Sequence, residues 1–267
     1  MEAAAYLRAM RPGNCIISAA GVLAGSVIAA KALAFTAPLA TGMAAAFLIT
    51  GAGNAMNDFF DAEVDARLGK AKGAGKNTLA FSLALFATGL TAAYFTNVTA
   101  FAIAALATLL LMAYASLMHG LKYIGNLVVA LGTALTLVFG AAISGDYAAA
   151  LAVAAAAFFA NAGREIIKDM EDMDGDRGVK TTLPMLVKHG TARAIVFALY
   201  FDAVSVGAAV YFAGAISGAL YVPFFALSCV MLAKSYGLTG RRDFEEAQRF
   251  SKYGMLAALA AFVGGSL

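Results

Sequence analysis

Apolar residues fill long blocks along the chain, and polar residues gather in the short breaks between them. An apolar run of about 17–25 residues is long enough to cross the hydrocarbon of a bilayer as a helix. On that measure the pattern predicts nine spans, approximately 12–30, 37–60, 78–95, 99–118, 124–143, 147–170, 190–212, 219–235 and 247–265. The expected fold is all-α, a polytopic membrane protein built as one transmembrane domain over residues 1–267.

Two blocks end in a way that apolar patterning does not explain. The second runs into Asn57-Asp58-Phe59-Phe60-Asp61-Ala62-Glu63-Val64-Asp65. A helix advances about 100° per residue, so Asn54, Asn57, Asp58, Asp61 and Asp65 share an arc of roughly 100°. The sixth block ends in a comparable face of Asn161, Glu165, Lys168, Asp169, Asp172 and Asp176. Asp58, Asp61 and Asp65 therefore recur, in spacing, as Asp169, Asp172 and Asp176.

Composition supports the membrane reading. Hydrophobic residues make up 62% of the chain and charged ones 13%, against about 25% charged in soluble domains. The absence of Trp and the 27 glycines suit closely packed membrane helices. The first apolar run follows Arg8 and Arg11 without a cleavage site, so a span is expected there rather than a signal peptide. With the N-terminus inside, Lys31 is the one basic residue of 19 placed outside. The positive-inside rule then sets a cell-membrane protein with both acidic clusters on the cytoplasmic face. Cys15 and Cys229 fall in different spans and read as small packing residues rather than a disulfide.

Polar residues near the same face are the further candidates. Arg8 and Arg11 mark topology, or Arg11 and Asn14 reach a ligand. Gly51, Gly53 and Asn54 admit the close approach of a helix or a bulky ligand. The segment Ala66 to Asn77 carries Arg67, Lys70, Lys72 and Lys76 among glycines. Lys122 and Asn126 follow a more ordinary interfacial His119, and Arg164, Lys168, Arg177 and Lys180 surround the second cluster. Asp202 stands in the seventh span with no assigned role, and 241–249 reads as a solvated loop.

A charged side chain within a span costs about 2.5–3.5 kcal/mol on insertion scales, and like charges one turn apart repel. Six aspartates in two rows need neutralising. Mg²⁺ prefers oxygen ligands, often one or two carboxylates with substrate phosphate oxygens, and clusters of Cys and His suited to zinc are missing. The inference is a Mg²⁺-bridged phosphate or diphosphate held between two helix ends. Solvated acidic ends would explain one cluster but not its repetition.

At these residues the chain resembles the UbiA family of membrane prenyltransferases. Asn57-Asp58-x-x-Asp61-x-x-x-Asp65 is similar to the family's first aspartate-rich motif, and Asp169-x-x-Asp172-x-x-x-Asp176 to its second. The resemblance implies nine helices around a central cavity and Mg²⁺ ions bridging the motifs to a polyprenyl diphosphate donor. It assigns metal binding and catalysis to Asp58, Asp61, Asp65, Asp169, Asp172 and Asp176, with Asn57 as a further ligand. Substrate contacts are expected from Arg11, Asn14, Asn54, Asn57, Arg67, Lys122, Asn126, Arg164, Lys168, Arg177 and Lys180. Ionisation of the donor would leave an allylic cation, for which Phe59, Phe60, Tyr114 and Phe158 are candidate aromatic neighbours.

Within the family, Arg11-Pro-x-Asn-Cys15, Gly125-Asn-Leu-Val-Val129, Arg164 to Asp172 and Lys180-Thr-Thr-Leu-Pro184 look most like members acting on geranylgeranylglyceryl phosphate. Those members move a geranylgeranyl group from its diphosphate onto that lipid-like acceptor in archaeal ether-lipid synthesis. No protein or nucleic-acid partner is implied. One segment departs: relatives carry an Asn-Arg-Pro-x-Arg-Pro-like loop after the first motif, whereas 66–77 keeps the positive charge and has no Pro. The competing expectations are an aromatic acceptor, as in quinone biosynthesis, an ion-coupled transporter, and an inactive lipid-binding relative.

Overall fold

The computed structural model describes residues 2–62, 77–117, 122–145, 147–176, 178 and 181–267, apart from the side chains of residues 2, 3, 117, 122 and 174–176. Asp65, Arg67, Arg177 and Lys180 lie outside the described residues, as do the side chains of Lys122 and Asp176. The regular elements are helices: α1 (Glu2–Met10), α2 (Pro12–Ala30), α3 (Ala37–Phe60), α4 (Thr78–Thr96), α5 (Val98–Leu117), α6 (Lys122–Ser144), α7 (Ala148–Asp176), α8 (Leu183–Leu186), α9 (His189–Phe212), α10 (Tyr221–Gly240) and α11 (Phe244–Ser266).

Local chemistry sets several of the ends. Pro12 and Pro38 stand in the first turns of α2 and α3, where a missing N–H costs nothing. Thr36 Oγ1 accepts from Leu39 N at 3.3 Å at the start of α3. Asp243 does the same for Glu246 N at the start of α11. Beyond Asp176, Gly178 takes a positive φ of 78°, which only glycine adopts without strain. The sixth predicted span closes at 170, whereas α7 continues to Asp176. Apolarity stops there, but Lys, Met and Glu keep the helix going.

Among the described residues, eight helices are long and apolar enough to cross a membrane. The ninth expected span corresponds to α11, which has 23 residues but opens with Glu245, Glu246, Arg249 and Lys252. Large apolar side chains such as Phe212 and Val98 are left exposed around the outside, as a lipid-facing belt requires.

The helices pack as two lobes. In the first, α2 to α6 close on one another through α2 against α6 and α3 against α5. In the second, α7, α9, α10 and α11 close through α11 against α7. The lobes join where α7 lies on α6 and α2, and where α11 reaches α2.

The tightest crossing is between α2 and α6. A Cβ on Gly25 would sit 2.0 Å from the Leu137 carbonyl oxygen, and one on Gly140 would sit 2.0 Å from that of Val22. Backbone touches backbone there, which only glycine allows. The pairings advance together, from Gly21 against Thr136 to Ser26 hydroxyl against Ser144 hydroxyl at 3.1 Å. These helices are therefore parallel, and their N-termini share one end of the bundle. The C-termini of α3 and α7 come back to that same end, bringing both acidic rows with them.

Candidate functional site

The first row is built at the meeting point of α1, α2 and α3. Arg11 stands between α1 and α2 in the left-handed region, with φ 53° and ψ 70°. That conformation costs a non-glycine residue of order 1 kcal/mol or more. The elbow aims its guanidinium at α3, where Arg11 Nη2 lies 2.5 Å from Asp58 Oδ1. Asp58 is 4% exposed, so the pair is sheltered on its acidic side. One turn on, Asn57 Nδ2 donates to Asp61 Oδ2 at 3.0 Å, and Asp61 is also buried.

Asn54 is used structurally. Its Nδ2 donates to the Met10 carbonyl at 2.9 Å, and Cys15 Sγ donates to the same oxygen at 3.2 Å. These bonds tie the last carbonyl of α1 to α3 and α2. Gly51 is approached by Met10 and Cys15, and Gly53 by Leu111, so both small positions receive neighbouring helices. Cys15 is buried and both thiols are unbridged, as expected.

The second row sits on α7. Asp169 has no exposed surface, and Asn126 Nδ2, in the first turns of α6, donates to its Oδ2 at 2.6 Å. Next to Asn126, Gly125 has Tyr114 against it: a Cβ there would lie 2.0 Å from Tyr114 Cε2. Tyr114 is thereby placed against the first turn of α6. Of the other aromatic candidates, Phe59 and Phe60 make an edge contact at 5.3 Å, and Phe158 makes one with Phe159 at 5.6 Å.

Glu165, buried, takes Arg164 Nη1 at 2.5 Å, with Lys168 Nζ at 4.0 Å from its other oxygen. Asn161 Nδ2 donates to Thr133 Oγ1 at 3.0 Å, which locks α7 onto α6 below the acids. Asp172 is half-buried one turn beyond Asp169, and Asn14 is exposed on the first turn of α2. Asp202 lies on the outward face of α9, away from these residues.

The donor set is oxygen from carboxylates, with amides beside it, which fits a hard divalent cation such as Mg²⁺. Among the described residues no three His, Cys, Asp or Glu side chains close on one point. The described aspartates come instead as Asp58 with Asp61 and Asp169 with Asp172. Such pairs suit an ion that completes its shell with substrate oxygens and water. Sequence reasoning chose the acids and Asn126 but missed that Arg11 belongs to Asp58.

A membrane-spanning helical protein with two sheltered aspartate rows at one end is a class that points to phosphate-bearing substrates at the bilayer surface. Residues 18–260 match the UbiA prenyltransferase family, and the chain belongs to it: it is a membrane prenyltransferase, transferring an alkyl group larger than methyl. Among its relatives, the digeranylgeranylglyceryl phosphate synthase of Methanopyrus kandleri is 37% identical over 275 residues, covering 98% of this chain and 99% of that protein. The enzyme of that name from Thermococcus kodakarensis is 33% identical over 278 residues, covering 100% and 99%. A solved structure of a digeranylgeranylglyceryl phosphate synthase superposes with a TM-score of 0.85 at 25% identity, covering 100% of this chain and 99% of that one. A UbiA homolog from Archaeoglobus fulgidus, solved with GPP and Mg²⁺ bound, shares the fold at a TM-score of 0.68 and 18% identity, covering 95% and 99%. Family membership decides for the enzyme over the transporter.

Proposed function

We propose that this chain transfers a geranylgeranyl group from geranylgeranyl diphosphate to geranylgeranylglyceryl phosphate, with Mg²⁺ as its metal and its acidic rows at the cytoplasmic face. The observation that carries the reading is burial. Asp58 and Asp61 are 4% and 5% exposed and Asp169 is 0% exposed, at one end of a membrane bundle. Relatives named for this reaction match almost the whole chain. The distribution of Lys and Arg supports the orientation.

Asn57, Asp58, Asp61 and Asp65 would hold metal on the first row, and Asp169, Asp172 and Asp176 on the second. When bound, Mg²⁺ withdraws charge from the departing diphosphate. Asn57 and Asn126 orient the carboxylates they touch, and Arg67, Lys122, Arg177 and Lys180 add positive charge for the donor. The C1–O bond of the prenyl diphosphate breaks, and its electron pair leaves with the diphosphate. The acceptor hydroxyl oxygen then bonds to C1, and its proton passes to the departing diphosphate. Tyr114, packed on Gly125 next to Asn126 in sequence, would offer an aromatic face to the allylic cation, and the apolar helices would keep water away.

The test is turnover by the purified protein in liposomes, given geranylgeranyl diphosphate, Mg²⁺ and either the glyceryl phosphate lipid or 4-hydroxybenzoate. Prenylation of the lipid is expected. Prenylation of the aromatic acid alone would reject the acceptor, and absence of transfer to either would reject the reaction.

A further inference from the structure

One carboxyl group stands where the bundle gives it no reason to be. Asp202 is exposed on α9, about 20 Å along the helix from His189 and about 15 Å short of Phe212, so it lies near the middle of its span. The inner face of α9 is marked by Tyr200. Its ring packs on Gly163 of α7, and its hydroxyl meets Ser235 of α10 and Ser251 of α11. Asp202 is turned about 160° from Tyr200, away from all three helices and toward lipid. A carboxyl in hydrocarbon has no water to bond and is costly there until it is paired.

The surface around it is of one kind. Ala194, Ala198, Asp202, Ser205 and Ala209 share an arc of roughly 80°, and all five are exposed. Small side chains let the backbone of a second helix come close. Ser205 adds a donor one turn from the carboxyl. Thr88, Thr91 and Ser116, exposed on other spans, donate to carbonyls four residues earlier in their own helices. Ser205 does not, and among the described residues neither it nor Asp202 has a hydrogen-bond or ion-pair partner. An unused donor and an unused acceptor thus stand side by side at mid-depth, on a face cleared of bulk.

We propose that this face of α9 is an interface between two copies of this chain, joined by reciprocal hydrogen bonds from Ser205 of each copy to Asp202 of the other. Two copies inserted the same way are related by a twofold axis along the membrane normal. Their α9 helices then run parallel and meet at equal depth. An isologous contact needs a surface complementary to itself, and a donor one turn from an acceptor is such a surface. Each carboxyl gains a hydroxyl, and the alanines remove the steric bar. A partner offering one basic side chain would answer Asp202 but leave Ser205 idle. The acidic rows lie on α3 and α7, so pairing through α9 leaves the site of each copy whole.

The experiment reconstitutes the full-length protein, labelled separately with two dyes, in liposomes and follows energy transfer as the protein-to-lipid ratio rises. Wild type should pair reversibly. Asp202→Leu and Ser205→Ala should each raise the dissociation constant about tenfold, the effect of losing two interhelical hydrogen bonds. Asp202→Asn keeps an acceptor oxygen and should pair nearly as well as wild type. Melting of all three variants in detergent should stay near wild type, because both positions face away from their own bundle. Wild type that shows no energy transfer at any density would overturn the proposal. So would Asp202→Leu pairing as tightly as wild type, which would reduce the contact to apolar surface. A second arm oxidises Ser205→Cys in native membranes. A disulfide-linked pair of this chain is expected, and a crosslink to a different protein alone would give the face to that partner and refute self-pairing.

Discussion

Asn126 is the most informative single residue to change. Its Nδ2 donates to Asp169 Oδ2 at 2.6 Å, with Asn126 6% exposed and Asp169 0% exposed. Water has little room to replace the bond. A hydrogen bond to a charged group contributes about 1.5–3 kcal/mol, or roughly 10–150-fold in an equilibrium constant. Groups that orient metal ligands typically cost 10–100-fold in metal affinity when removed. Asn126→Ala should therefore raise the Mg²⁺ concentration for half-maximal prenyl transfer about 10–100-fold. Asn126→Asp should be worse, because it sets a second negative charge against Asp169. The assay is a Mg²⁺ titration of transfer from geranylgeranyl diphosphate, with melting in detergent followed in parallel. A half-saturation point within twofold of wild type, with unchanged turnover, would show that Asn126 does not orient Asp169.

Three further outcomes are expected. Asp61→Ala and Asp172→Ala should each abolish transfer while melting stays near wild type; a near-normal rate at saturating Mg²⁺ would contradict their roles. Gly140→Ala places a carbon 2.0 Å from the Val22 carbonyl oxygen, and overpacking of this kind costs about 1–3 kcal/mol, read as a lower melting temperature. Unchanged melting would mean that α2 and α6 part freely. Arg11→Ala removes a pair whose basic partner is 38% exposed, so after screening the loss should be about 1 kcal/mol. That loss should shrink when Mg²⁺ is added, because the cation supplies the positive charge that Asp58 has lost; an equal deficit in both conditions would argue against this exchange.

The membrane helices were legible because a span needs only a long enough apolar run. The acidic faces were legible because helical geometry alone lines up residues three and four apart. What each acid touches was not. Asp58 finds Arg11 47 positions away and Asp169 finds Asn126 43 positions away. Neither pairing follows from local pattern: the first depends on how α3 meets the elbow between α1 and α2, the second on how α7 lies on α6. The end of α7 was legible as well: the helical acidic face read from the sequence runs to Asp176, where the helix stops, beyond the apolar span that reports only membrane thickness.

Each lobe carries its own row of acid, α3 in the first and α7 in the second, and the lobes adjoin along α2, α6 and α7. The gap between the rows is thus governed by a seam that the second row touches through Asn126 and Asp169. Small side chains along it, such as Ala24, Ala134 and Ala154, work like the screw of a pair of calipers. Enlarging one of them should open or tilt the jaws while leaving every aspartate in place.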